Sequence, residues 1–349
     1  MNDPAMEPDS ERIDLAAIRE RIRVLGMAQS FFQSSILFAL ARLRIFELIG
    51  EHDKSVDELA GQLGAKPETL ARLLNAGVAL ELLESRNGNT YRVAELGRPV
   101  LLPSGGEAYL GDWIRNLAYF DVAMSGLDQA VLKSGPAVDP MTHLGTDPER
   151  TREFTLAMHN YAAVYGNELA HYLDTTGCQS LLDLGCGPGT YAFHLGLKNP
   201  ALQLYLLDFP GVLQVAREVQ ARYSLKNEVH YVPADALKDE ISGQYDMILV
   251  SNTLHQLGPE ASSPLVKRLY RAVRPGGSLV VQARFLRDDR LGDKGPIFLD
   301  MLELCITASG RNHSVAETRA WLEAAGFANV QFCPMSLFNE NSFLRGYRT

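Results

Sequence analysis

Residues 181–190 read Leu-Leu-Asp-Leu-Gly-Cys-Gly-Pro-Gly-Thr, an apolar run that ends in an aspartate and three alternating glycines. Gly185, Gly187 and Gly189 let the backbone turn sharply and leave no side chain between it and a ligand, so a nucleoside can lie directly against the chain. Asp183 adds an acceptor for a cationic group. The same run contains Gly187-x-Gly189-x-x-Ala192, which satisfies a relaxed dinucleotide fingerprint, so the glycines alone leave two cofactor classes open. Asp208 closes LYLLD about twenty residues on, where a carboxylate can accept both hydroxyls of a ribose in either class. Asp235, in VPADA, is placed to accept from an adenine amino group beside apolar Phe209 and Ala236. His255 follows MILVSNTL and offers an imidazole that can take a proton near neutrality, with Ser251 and Asn252 on the same segment.

These residues need a scaffold that brings strand ends together, and the C-terminal half has that texture. SLLDLG, LQLYLLDF, VHYVPAD, YDMILVS and SLVVQARF are strand-like, each separated by a helical interval, which predicts a parallel sheet with crossover helices. Arg274-Pro275-Gly276-Gly277 forms the turn into the fifth strand. VQFCPMSL and NSFLRGYR are joined by too few residues for a helix, so one of them adds antiparallel at the edge. Upstream, apolar residues recur at helical spacing from Ile13 to Ile49, with too few polar positions for a solvated face, so these helices want a partner. Ser55-Val-Asp-Glu58 is a capping box, Pro67 suits the first turn of a second helix, and LLESRNGNTYRV reads as a hairpin turning at Asn87-Gly88. Helices followed by a ribbon suggest a winged helix. The expected partition is a helical, winged-helix domain over 1–104, a helical bridge over 105–177, and a ligand-binding α/β domain over 178–349.

Composition limits what such a chain can do. The 349 residues are 46% hydrophobic, enough for two cores, and the formal net charge of −9 disfavours a polyphosphate partner. From Ser55 to Val100 five basic residues face six acidic ones, and a recognition helix carrying only Arg72 cannot supply the phosphate contacts of duplex binding. Dimerisation is therefore the expected role of the winged helix. Ile36 to Ile49 is too short and too charged for a bilayer and is expected to be a buried helix. Four cysteines without C-x-x-C spacing, and an acidic N-terminus without an apolar signal core, fit a reducing, cytoplasmic setting. The first residues are expected to lack order.

Taken in order, Asp183-x-Gly185-x-Gly187-x-Gly189, Asp208-Phe-Pro-Gly, Asp235-Ala, Leu254-His255 and Arg274-Pro-Gly-Gly resemble the class I S-adenosylmethionine-dependent methyltransferases. More narrowly they resemble the family that includes caffeate and hydroxyindole O-methyltransferases and many antibiotic-tailoring enzymes. The resemblance covers nearly the whole chain. It implies a Rossmann-like seven-stranded sheet, S-adenosylmethionine as methyl donor, a small aromatic or secondary-metabolite acceptor, and a homodimer made through the N-terminal helices, with no nucleic-acid or membrane partner. It also implies that His255 is the catalytic base, that Asp183, Gly185, Gly187, Gly189, Asp208, Phe209, Asp235, Ala236 and Ser251 meet the cofactor, and that Met158, His159, Tyr161 and Tyr165 line the acceptor pocket. This chain departs from plant members, which follow the histidine with Asp-Trp where it has Gln256-Leu257. Their two flanking glutamates align with Ala283 and Asn312, so neither carboxylate is expected beside the base. Arg284 and His313 stand next to those positions as substitutes: Arg284 for a substrate carboxylate or a surface acid, and Asn312 with His313 for the substrate. A metal site of His255 and His313 with Asp300, serving carbon methylation of an enolisable keto acid, is the alternative. A fold that binds the cofactor without transferring its methyl is another.

Overall fold

The computed structural model describes residues 15–139, 147–335 and 341–349, so the expectation for the first residues falls outside it. The chain divides between Ala94 and Glu95, which assigns the segment 95–104 and the helices expected as a bridge to the second unit.

In the first unit, helices α1 (Leu15–Gln29), α2 (Phe31–Arg42) and α3 (Ile45–Ile49) precede strand β1 (Lys54–Ser55), α4 (Val56–Leu63), α5 (Pro67–Ala79), β2 (Leu83–Arg86) and β3 (Thr90–Val93). The capping box forms: the Glu58 N–H donates to Ser55 Oγ and the Ser55 N–H to Glu58 Oε2, satisfying two donors that the start of α4 would orphan. Pro67 opens α5. Asn87 and Gly88 both adopt positive φ, which turns β2 back on β3, and β1 adds antiparallel to make a three-stranded ribbon. Leu40, Ile45, Ile49, Leu59, Leu74, Leu83 and Tyr91 form its core. The expected buried helix holds only for its end. α1 has no buried residue and α2 buries only Leu40 and Ala41, because their apolar side chains point away from this small core. Leu15–Arg42 is by length and composition apolar enough to cross a membrane, a property it shares with a helix covered by a protein partner.

The second unit opens with α6 (Arg98–Leu101), α7 (Gly111–Met124), α8 (Leu127–Lys133) and the 25-residue α9 (Pro148–Tyr172), which Asp147 caps through the N–H groups of Glu149 and Arg150. There follow β4 (Ser180–Leu184), α10 (Thr190–Lys198), β5 (Gln203–Asp208), α11 (Pro210–Gln220), β6 (Val229–Pro233), β7 (Tyr245–Ser251), α12 (Pro259–Ala272), β8 (Val273–Ala283), α13 (Lys294–Ile306), α14 (Val315–Ala325), β9 (Ala328–Pro334) and β10 (Ser342–Tyr347). The seven strands are ordered β6-β5-β4-β7-β8-β10-β9, and the first five run parallel. Two expectations need correction. The antiparallel strand is β10, which lies between β8 and β9 rather than at the edge. The β6-to-β7 connection, residues 234–244, contains no helix.

Side chains alternate across the sheet, as a strand's period of two requires. Leu181, Leu204, Leu206, Met247 and Leu249 pack under α9, α10 and α11, while Leu182, Leu184, Ile248 and Val250 pack under α12 and α14. Each fully buried leucine contributes about 2 kcal/mol, so β4, buried along its whole length, is a rigid base for the loop that follows it. The chain moves outward from β4 through β5 to β6, then returns to the other side at β7. The carboxyl ends of β4 and β7 therefore flank the switch point where α/β sheets bind ligands.

Candidate active site

The glycine loop after β4 has φ of +67° at Gly185, +54° at Gly187 and +76° at Gly189. A Cβ on Gly189 would stand 2.7 Å from the Phe193 ring, whereas one on Gly187 would meet nothing within 4 Å. Gly189 is thus required by packing, and Gly187 keeps open the space a ligand would use. Asp208, at the end of β5, ties this loop in place: its Oδ2 accepts from the Gly187 N–H at 2.8 Å and its Oδ1 from the Phe209 N–H at 2.7 Å. Asp183 is buried beneath the loop, and its Oδ2 has no hydrogen-bond partner. Burial raises Asp183 to about 7, helped by the neighbouring charge of Asp208. Burial likewise raises Asp208 to about 6, against the pull of its two backbone bonds. Among the described residues no Lys or Arg pairs with either. One buried and one half-buried carboxylate without cations, beside an open glycine loop, fit a ligand that brings its own ammonium and a ribose diol, which are parts of S-adenosylmethionine.

The remaining cofactor-side residues divide. Ser251 donates from Oγ to Gln282 Oε1 at 2.8 Å and stands at the end of β7. Phe209 is half-exposed at the N-terminus of α11, and Ala236 packs against the β7 side core. Asp235 is less available than its position suggests. It pairs with Lys238 at 2.9 Å and caps the Leu237 N–H, and these bonds outweigh burial to hold its carboxyl below the usual range.

His255 lies on a short helical turn, Leu254–Gln256, just past β7. Its Nε2 is 3.6 Å from Oε1 of Glu303, which α13 presents from the opposite side, and both side chains are buried. This corrects the expectation of a base without a carboxylate: Ala283 and Asn312 carry none, and α13 supplies one from elsewhere. Burial pushes His255 down to about 4, with His313 and Arg284 adding to the effect, and pushes Glu303 up to about 8, with Asp300 adding. Nδ1 of His255 and Oε2 of Glu303 have no protein partner, so the pair has one free position on each side for another ligand.

Two neighbours, His313 and Asn312, serve this arrangement structurally. His313 Nε2 lies 3.1 Å from the carbonyls of both Leu254 and Leu257 and clamps the turn that carries His255. Asn312 donates from its amide to the carbonyls of Arg284 and Pro296, and its own N–H donates to Asp300 Oδ1. These hydrogen bonds tie Asn312 and His313 to the chain's own backbone, and Nδ1 of His313 is left buried without a partner. Among the described residues no group of three His, Cys, Asp or Glu could hold a metal.

On α9, Met158, Tyr161 and Tyr165 recur at helical spacing, and the Tyr161 ring packs against Tyr165 at 4.9 Å and Trp113 of α7 at 5.0 Å. Arg284 donates to the Tyr161 hydroxyl at 2.6 Å rather than to a surface acid. His159 does not join this wall. It is buried the other way, its Nδ1 2.9 Å from Thr190 Oγ1 at the start of α10, and burial lowers it to about 4, with Arg222 and His194 contributing. Sequence reading missed Glu303, Trp113, Tyr191 and Gln282; the first two sit in amphipathic runs that look like core.

A Rossmann-like sheet with this loop, this strand-end aspartate and a histidine past β7 defines the class of S-adenosylmethionine-dependent methyltransferases. Residues 120–328 match the profile of the O-methyltransferase domain, and residues 25–102 that of the O-methyltransferase dimerisation domain. The chain belongs to the O-methyltransferase family. It is 28% identical over 326 residues to the tetracenomycin polyketide synthesis 8-O-methyl transferase TcmO of Streptomyces glaucescens, covering 90% of this chain and 93% of that one. It is 24% identical to the 3-hydroxy-5-methyl-1-naphthoate 3-O-methyltransferase of Streptomyces sahachiroi, covering 92% and 94%. Human N-acetylserotonin methyltransferase, solved with S-adenosylmethionine, shares the fold with a TM-score of 0.82 at 22% identity, covering 98% of this chain and 99% of that one.

Proposed function

We propose that the protein moves the methyl group of S-adenosylmethionine to a phenolic hydroxyl of a small aromatic or polyketide-derived acceptor, with His255 as base and Glu303 as the carboxylate that supports it. The observation that carries this reading is the buried His255–Glu303 pair, beyond the end of β7, with an open nitrogen on the histidine. The relatives named for 8-O and 3-O methylation of polyketide and naphthoate compounds agree with it.

Bound S-adenosylmethionine supplies a methyl group already activated on a sulfonium. The protein's task is then alignment and removal of one proton. Asp183 and Asp208 fix the ammonium and ribose ends, and the aromatic wall of Trp113, Tyr161 and Tyr165 takes the flat acceptor. A phenol has a pKa of about 10 in water, so a buried imidazole near 4 is by itself a weak base for it. Ionised Glu303 offsets the charge His255 gains and makes it a stronger base. The apolar α1 and α2 faces, within a chain that carries a dimerisation domain, are covered by a second copy. Four free thiols fit a cytoplasmic enzyme.

The test is transfer of labelled methyl from S-adenosylmethionine to a panel of phenols, followed by mass spectrometry. Wild type forms an O-methyl product and S-adenosylhomocysteine. His255→Ala loses about 10²- to 10⁴-fold in kcat while still binding S-adenosylhomocysteine. Undiminished turnover in that variant, or methylation at carbon, contradicts the reading.

A further inference from the structure

We propose that the acceptor is an aromatic acid whose carboxylate is received by Arg284 while its hydroxyl faces His255. This rests on the O-methyltransferase reading of the same site and names the chemical class of its substrate.

Arg284 directly follows β8, next to β7 whose end carries His255, and its charge acts on both His255 and Tyr191. The three groups therefore lie near one another. The Arg284 side chain is half-buried, and among the described residues no carboxylate lies within 4 Å of it. Its partners are the hydroxyl of Tyr161 and, at 5.4 Å, the face of the same ring; its Nε is buried without a hydrogen bond. Removing a guanidinium from water without giving it an anion is costly, and a protein keeps such a group where a ligand completes it. Its planar fork of donors matches a carboxylate in two parallel bonds, which a hydroxyl such as that of Tyr161 cannot provide.

The nearest acids do not fill that position. Asp300 accepts from the Asn312 N–H, and Glu303 faces His255. Two further groups buried in this region without a bond, the Tyr191 hydroxyl and Gln282 Nε2, are donors, which is what an anion requires, while the Asn341 amide offers a donor nitrogen beside an acceptor oxygen. Beside Arg284 the rings of Tyr161, Trp113 and Tyr165 supply flat apolar contact for the aromatic part. A carboxylate on Arg284 also cancels a charge that weakens His255, so the acid strengthens the base that acts on it.

The experiment compares matched probes that differ only in charge: hydroxynaphthoic acids, with the hydroxyl at several ring positions, and their primary amides. Binding to protein saturated with S-adenosylhomocysteine is measured by calorimetry for wild type and Arg284→Met, with methyl transfer to each probe followed in parallel. At least one acid binds wild type about 10- to 100-fold more tightly than its amide, and that advantage disappears in Arg284→Met, whose S-adenosylhomocysteine affinity is unchanged. Equal binding of acids and amides to wild type, including no binding of either, overturns the inference, as does an acid advantage that survives in Arg284→Met. Methylation of amides as efficient as that of acids overturns only this inference. Failure to bind S-adenosylhomocysteine, or to methylate any phenol, overturns the reading beneath it.

Discussion

Replacing Glu303 with glutamine keeps the shape of the side chain and removes the charge that faces His255. At 3.6 Å and an effective dielectric of about 20, the attraction between ionised Glu303 and protonated His255 is about 5 kcal/mol, or on the order of 10³-fold in rate. Only ionised Glu303 supplies it. With the carboxyl raised to about 8, roughly a tenth of the molecules carry that charge near pH 7 and nearly all do near pH 9.5. The ratio of wild-type to Glu303→Gln kcat should therefore be about 10² near pH 7, rise through pH 8, and level off at about 10³. Measured at saturating donor and acceptor from about pH 6 to 10, this ratio cancels the acceptor's own ionisation, which affects both enzymes alike. The fold responds in the opposite sense. A carboxyl raised on folding contributes stability that is complete below its unfolded pKa and lost as pH rises through about 8, so Glu303→Gln should match or exceed wild type in Tm above that pH. A kcat ratio that stays near one, or falls as pH rises, refutes the assignment of Glu303.

The Asp183 carboxyl, raised to about 7, should make the ligand-free protein less stable as pH rises through that value, so Asp183→Asn should have the higher Tm near pH 8 and lose that lead near pH 5. A lead that does not change with pH contradicts the burial argument. Gly189→Ala forces a Cβ against Phe193 at positive φ and should lower stability by about 1–3 kcal/mol in denaturant titrations. Gly187→Ala shares the positive φ but meets open space, so it should cost less stability, about 1 kcal/mol, and be recognised chiefly by lost S-adenosylhomocysteine affinity; a stability loss as large as that of Gly189→Ala would contradict these roles. Ile22→Glu with Phe31→Glu places charge on the exposed α1 and α2 faces and should convert a dimer to a monomer by light scattering. A monomeric wild type removes the basis for that assembly.

The cofactor side was legible because its signals are local. Three glycines in six residues after an apolar run, and an aspartate ending the next strand, describe a turn and its anchor without reference to the rest of the chain, and β4, β5 and α10 form accordingly. The base side was legible only in part. His255 could be found from the strand before it, but Glu303 lies within LDMLELC, where apolar neighbours on both sides resemble a core helix. Its role depends on how α13 packs against the turn after β7, a contact spanning 48 residues of chain, which no periodicity reports. His313 and Asn312 looked like ligand groups because they are polar and near the base. Their true partners are backbone carbonyls brought close by folding. The place of β10 was ambiguous for a related reason: a short connection specifies antiparallel pairing with β9 but not which of the two strands meets β8.

The most direct test of the account is a calorimetric titration of the purified protein with S-adenosylhomocysteine, on wild type and on Asp208→Ala, with circular dichroism to establish that both are folded. Saturable one-site binding by wild type that weakens at least about 100-fold in Asp208→Ala is the predicted result, since Asp208 anchors the Gly187 loop and is proposed to accept the ribose. Absence of binding by folded wild type, or equal affinity in the variant, would contradict the assignment of the glycine loop as the methyl-donor site.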